Sequence, residues 1–97
     1  MKVLAFAEYC LEDFEKVAEK FKQIMVERQR GSVKFPKWVF SPHSLGGEPK
    51  VVMVYEDPTE EQMNALVIYY LPEMTFKFVP LIEAGKFIEQ YNKERKK

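Results

Sequence analysis

Few side chains in this sequence have the types and spacing that chemistry requires. His43 is the only histidine, set in Pro42-His43-Ser44-Leu45-Gly46-Gly47-Glu48-Pro49, a stretch with the prolines and glycines of a loop where a flexible lid could sit. As a general acid/base or a haem ligand, its imidazole would need a shielded pocket and a partner; an exposed loop position is the plainer reading. One histidine excludes a multi-histidine metal site. Cys10 is the only cysteine. As a nucleophile it would need a base and a cationic neighbour, which the adjoining sequence does not supply, so it reads as a structural thiol. Gly46-Gly47 lacks the Lys-Ser/Thr of a phosphate-binding loop and reads as a turn. No nucleophile–base–acid set can be assembled from spacing, so no catalytic residue, metal or cofactor is assigned. The aromatic residues Tyr9, Trp38 and Tyr55 remain. They would line a pocket or fill a core equally well. With His43 they form the candidate ligand-binding set.

These residues must be positioned by a short list of elements. Val3 to Tyr9 is a run of strand formers. From Leu11 the apolar residues Leu11, Phe14, Val17, Ala18, Phe21, Ile24 and Met25 recur at three- and four-residue spacing, which predicts a long amphipathic helix. Acidic residues open it, Arg28 and Arg30 close it, and Gly31-Ser32 stops it. Lys37 to Ser41 and Val51 to Glu56 predict two more strands, with the Pro/Gly loop between them. Thr59 and Gln62 have capping-box spacing and open a second helix that Leu71-Pro72 ends. Met74 to Val79 predicts a fourth strand and Lys86 to Glu94 a third helix, with 93–97 a charged, frayed tail. Residues 1–92 then form one domain. The order βαββαβ followed by a helix is that of a ferredoxin-like α+β unit. Right-handed crossovers place strands one and three at the centre of a four-stranded antiparallel sheet, with two helices on one face.

Alternation splits each strand between two faces. The set Val3, Ala5, Ala7, Tyr9, Trp38, Phe40, Val51, Met53, Tyr55, Met74, Phe76 and Phe78 contains no charge and is assigned to the helices. The other set, which includes Leu4, Phe6, Val39, Ser41, Val52, Val54 and Val79, is half apolar, more than a solvated sheet face should be. Six such side chains expose roughly 500 Å², near the upper end for monomers. Burying them is worth about 12 kcal/mol gross per subunit, against an association cost of ~4–15 kcal/mol. The expectation is a sheet-to-sheet homodimer; the alternative is that the third helix folds over this face. The same topology pairs Glu8 with Lys77 and Glu56 with Lys37. Ion pairing, rather than a general-base role for Glu8, is the reading taken.

Composition narrows the classes further. Ninety-seven residues suit one domain, and 46% hydrophobic with 31% charged residues is ordinary globular composition. Fifteen acidic and fifteen basic residues cancel, leaving no electrostatic footprint for nucleic acid or an anionic membrane. The first apolar run is interrupted at Glu8, too short for a signal peptide or a membrane span, and with a free thiol the expected location is cytoplasmic. Thirteen Glu and twelve Lys against four Gln and two Asn resemble a heat-adapted composition.

The short first strand, the Phe14-centred helix, the long loop between strands two and three, and Leu71-Pro72-Glu73-Met74-Thr75-Phe76-Lys77-Phe78-Val79-Pro80 together resemble the dimeric α/β-barrel superfamily, especially its small stand-alone proteins of unknown function. That stretch is similar to the family's ending, a helix giving way to a strand terminated by Val-Pro. Relatives often carry Trp and Asp before this strand, where this chain has Leu71 and Glu73. The resemblance implies sheet-to-sheet pairing of ferredoxin-like subunits. The wider superfamily includes cofactor-free monooxygenases, isomerases, haem-dependent enzymes and regulator domains, so fold does not decide function. The expectation is a homodimeric module that binds a small ligand or another protein without catalysis; the alternative is a small cofactor-independent oxygenase- or isomerase-like enzyme. A cavity between sheet and helices with convergent polar groups would favour the enzyme, and a solid aromatic core the module.

Overall fold

Val3, Ala5 and Ala7 alternate with more exposed neighbours along Lys2–Tyr9, and this two-residue period makes strand β1 buried on one side only. The computed structural model describes residues 1–96. After β1 a single 3-10 turn, Leu11–Asp13, leads into α1, Phe14–Gln29; the helix predicted from Leu11 therefore begins one turn later. Gly31, at φ +82°, ends it in the left-handed cap for which glycine is suited. There the Gly31 N–H donates to the Arg28 carbonyl (2.9 Å) and the Ser32 N–H to that of Glu27 (3.0 Å). Strands β2, Lys37–Ser44, and β3, Lys50–Glu56, form a hairpin; α2, Glu60–Tyr70, β4, Met74–Pro80, and α3, Ala84–Arg95, complete the chain. The Thr59–Gln62 capping box is formed in both directions, each bond 3.0 Å. The described residues thus form a small α+β domain with a four-stranded antiparallel sheet in the order β2-β3-β1-β4, which fits a ferredoxin-like arrangement loosely.

The core lies between this sheet and α1 and α2. Ala5, Ala7, Met53, Tyr55 and Met74 from the strands meet Val17, Ile24, Leu66 and Tyr70 from the helices, with Phe35 closing one side. Lys20 fastens α1 to the start of β4. Its ammonium donates to Glu73 Oε2 (2.8 Å) and to the Leu71 carbonyl (3.3 Å), while Tyr69 Oη donates to the Lys20 carbonyl (3.0 Å). The hydrogen bond from Lys20 holds the Glu73 carboxyl below its ordinary range. A depressed pKa stabilises the fold above the unfolded-state value and is lost as pH falls through the folded one. Glu73→Gln should therefore lower Tm at pH 7, with the gap to wild type closing as acid protonates Glu73, measurable by thermal melts across pH 2–7.

Two expectations about the sheet are corrected, and the alternative cover for its outer face is removed. Strand β2 does not end at Ser41. Two bulges let it run on to Ser44, pairing Trp38 with Tyr55 but Phe40 with Val54, and His43 with Val52. Each bulge adds a residue and flips the alternation. Phe40 therefore joins the outer face instead of the helix side, and His43 stands on a strand rather than in a loop. Glu8 lies opposite Lys50 and Thr75, with Lys50 Nζ at 3.8 Å, whereas Lys77 faces Phe6. Glu56 does face Lys37 as expected. Finally, α3 does not fold over this face: none of its residues is buried, and Phe87, Ile88 and Tyr91 are all more than half exposed. It also includes Lys93, Glu94 and Arg95, so the part of the charged 93–97 stretch up to Arg95 is helical; Lys97 lies outside the described residues.

Candidate functional site

A single stripe of α1, Phe14, Val17, Ala18, Phe21, Ile24 and Arg28, faces the sheet at three- and four-residue spacing. Beneath it the strands offer Ala7 and Tyr9 from β1, Trp38 and Ser44 from β2, and Val51, Met53 and Tyr55 from β3. Helix and strands do not close fully on one another here. Between them remains a hollow of about 260 Å³, edged by Leu66, Tyr70, Met74 and Phe76. Because α1 runs antiparallel to β1, the hollow has two distinct ends. Tyr9, Phe14, Ser44 and Val51 lie at one; Arg28, Trp38 and Tyr55 lie at the other, four strand residues or ~13 Å away.

Tyr9 and Ser44 bring hydroxyls to the first end, and the nitrogen donors gather at the second. The Arg28 guanidinium lies over the Trp38 ring, 4.1 Å from its centroid, and Nη2 donates to the Pro36 carbonyl. Phe21 stacks on the same indole, ring centroids 6.0 Å apart. Arg28 Nε and Trp38 Nε1 are both buried and have no hydrogen-bond partner. Tyr55 Oη donates only to the thioether of Met53 (3.1 Å), a weak acceptor. Burial pushes the Tyr55 phenol up to about 12, so it remains a protonated donor at neutral pH; the Trp38 indole N–H, near enough to Tyr55 to oppose the shift but outside hydrogen-bond geometry, and Arg28 act against it. Burial also lowers the Arg28 pKa, partly offset by Tyr55. An unpaired buried donor costs about 1–3 kcal/mol, and native interiors rarely leave two side by side.

Of the four residues singled out from sequence, the fold brings Tyr9, Trp38 and Tyr55 to this hollow. His43 is elsewhere. It stands exposed on the outer face of the sheet, stacked 4.4 Å from the Phe40 ring, with Nδ1–H donating to the Ser41 carbonyl (2.6 Å). Cys10 is exposed at the end of β1. Arg28 was read only as a charge at the helix end. The signal was present, because 28 follows Phe21 and Ile24 at the seven- and four-residue steps of the apolar stripe. Ser44 could not be placed, since its orientation depends on the bulges.

Among the described residues, no carboxylate or imidazole lines the hollow, and no group of three His, Cys, Asp or Glu is placed to hold a metal ion. No helix is long and apolar enough to cross a membrane. No protein-family model, curated protein or solved structure matches the chain.

Proposed function

We propose that this protein is a homodimeric, non-catalytic binding module of the dimeric α/β-barrel type, which takes a small, mainly apolar molecule into the hollow between α1 and the sheet. The observation that carries the reading is the hollow itself, with Arg28 Nε and Trp38 Nε1 unpaired at one end of an apolar chamber. A chamber with convergent polar groups was the feature expected of an enzyme, but these groups are donors. An oxygenase- or isomerase-like step needs a base to take a proton, and Tyr55 stays protonated at neutral pH. Donors with no base hold and orient a ligand. The volume is close to the lower end of the ~300–1,000 Å³ typical of ligand pockets, so the ligand is small.

The dimer rests on the outer face of the sheet. Phe40, Val54, Leu4 and Val79 form one row across the four strands, and His43, Val52, Phe6 and Lys77 form the next. Phe6 and Phe40 are 38% and 44% exposed. These rows offer roughly 500 Å² of apolar side chain per protomer, and Leu81 and Ile82, exposed just beyond β4, add to it, toward the ~800 Å² that each partner gives to a standard interface. A second copy, rather than another protein, fits because the face carries both signs of charge, with Lys37 opposite Glu56 and Glu8 opposite Lys50.

The binding reading is tested with 3-phenylpropanol as a neutral probe. At ten times Kd it should stabilise the protein by about 1.4 kcal/mol, several degrees in Tm. Ala18→Phe, which fills the hollow from above, should abolish that rise while the variant remains folded. An equal rise in Ala18→Phe would place the probe elsewhere and contradict the reading.

A further inference from the structure

Arg28 and Trp38, each with a buried donor that has no partner, line the same end of a mostly apolar chamber, and together they describe the complement of an acceptor. Arg28 supplies one positive charge, and the hollow lacks an anion to balance it. An alcohol or amide oxygen could accept from one of the two N–H groups. A carboxylate has two oxygens and a full charge, so it can accept from both and neutralise the guanidinium. Arg28 and Trp38 also border a second, larger depression of about 610 Å³, but there Glu56 and Asp57 already balance the charges of Arg28 and Lys37, so that side is not short of an anion. A phosphate dianion would bring more charge than one guanidinium balances, and burying the excess is costly. Most of the remaining lining residues, Phe21, Ile24 and Met53 among them, suit an apolar body, the hydroxyl-bearing exceptions being Tyr9, Ser44, Tyr55 and Tyr70.

Resting on the reading of the hollow as a ligand site, we infer that its ligand is a small apolar carboxylic acid, the carboxylate received by Arg28 Nε and Trp38 Nε1 and the body lying beneath α1 toward Tyr9. The Tyr55 hydroxyl, held only by a thioether, is the third donor within the same end of the chamber.

The test compares three probes with one body and different heads: 3-phenylpropionate, 3-phenylpropanol and 3-phenylpropylamine. Binding is followed through the fluorescence of Trp38, the only tryptophan. The acid should bind about 10–100-fold more tightly than the alcohol, the gain expected from charge-assisted hydrogen bonds, and the amine less tightly than either. Arg28→Met should remove the acid's advantage and leave the alcohol within about twofold of wild type, while Arg28→Lys, which keeps the charge, should restore part of the preference. If Arg28→Met fails to fold, the head-group series on wild type and Arg28→Lys decide the matter. Equal affinity for acid and alcohol in wild type would overturn the inference and leave the hollow a ligand site. An undiminished preference for the acid in Arg28→Met would overturn the role of Arg28. Binding of none of the three at millimolar concentration would overturn the ligand-site reading and the inference together.

Discussion

Phe6→Glu should convert the proposed sheet-to-sheet dimer to a monomer, halving the mass seen by light scattering at micromolar concentration. Phe6 sits at the middle of the outer face, between Val52 on β3 and Lys77 on β4. In a two-fold interface each substitution is made twice, and the same patch meets itself. Two carboxylates would therefore enter one apolar seam, each needing desolvation worth several kcal/mol unless Lys77 can reach it. The dimer Kd should rise at least ~100-fold, a change of about 2.7 kcal/mol. The fold should survive, because the core uses the opposite face of β1, where Ala5 and Ala7 are fully buried. Ile68→Glu is the control: Ile68 is 69% exposed on α2, away from the outer face, and its substitution should leave the mass unchanged. A Phe6→Glu protein with wild-type mass would refute sheet-to-sheet pairing.

Ile24→Ala should be the most destabilising single change in the helix layer. Ile24 is 2% exposed and lies on the α1 stripe above the sheet. Removing its outer carbons loses their burial and leaves a void that the surroundings cannot fully close; comparable substitutions cost about 2–5 kcal/mol. The upper half of that range applies here, because the new void opens into an existing hollow and collapse would have to close both. For a domain whose total stability is about 5–15 kcal/mol, this is a large fraction. At about 4–8 °C per kcal/mol, Tm should fall by more than 10 °C. Urea titration should show a lower midpoint at unchanged slope, the mark of lost stability without a change in the unfolded state. A loss below about 1 kcal/mol would mean that α1 does not rest on Ile24 as described.

Element order, the Thr59 cap, the Gly31 stop and the central places of β1 and β3 were legible in the sequence because each depends on local chemistry or on the handedness of crossovers. The face of β2 was not. Alternation by parity holds only while the ladder is regular, and the bulges after Trp38 and Phe40 carry no composition signal that parity can detect. Parity therefore misplaces Phe40, and the composition of 42–49 puts His43 and Ser44 in a loop. The Glu8 partner missed for a related cause: pairing by strand ends is uncertain by a residue or two, and that shift separates Thr75 from Lys77. Of the candidate site, the aromatic members followed from the helix-facing set. The hollow itself did not, because it depends on how α1 sits over the strands, and only the fold defines that register. Nor can a sequence reveal that Trp38 Nε1 and Arg28 Nε lack partners, since every neighbour capable of pairing them must first be located in space.

Since the chain has one tryptophan, its indole N–H gives one signal in a proton–nitrogen NMR spectrum, and that signal reports the donor on which the account turns. Titration with 3-phenylpropionate should move it progressively and saturably downfield as Trp38 Nε1 gains an acceptor, with the movement much reduced in Arg28→Met. An indole signal that stays fixed while the acid saturates the protein would contradict the account, for the ligand would then lie somewhere other than against Trp38.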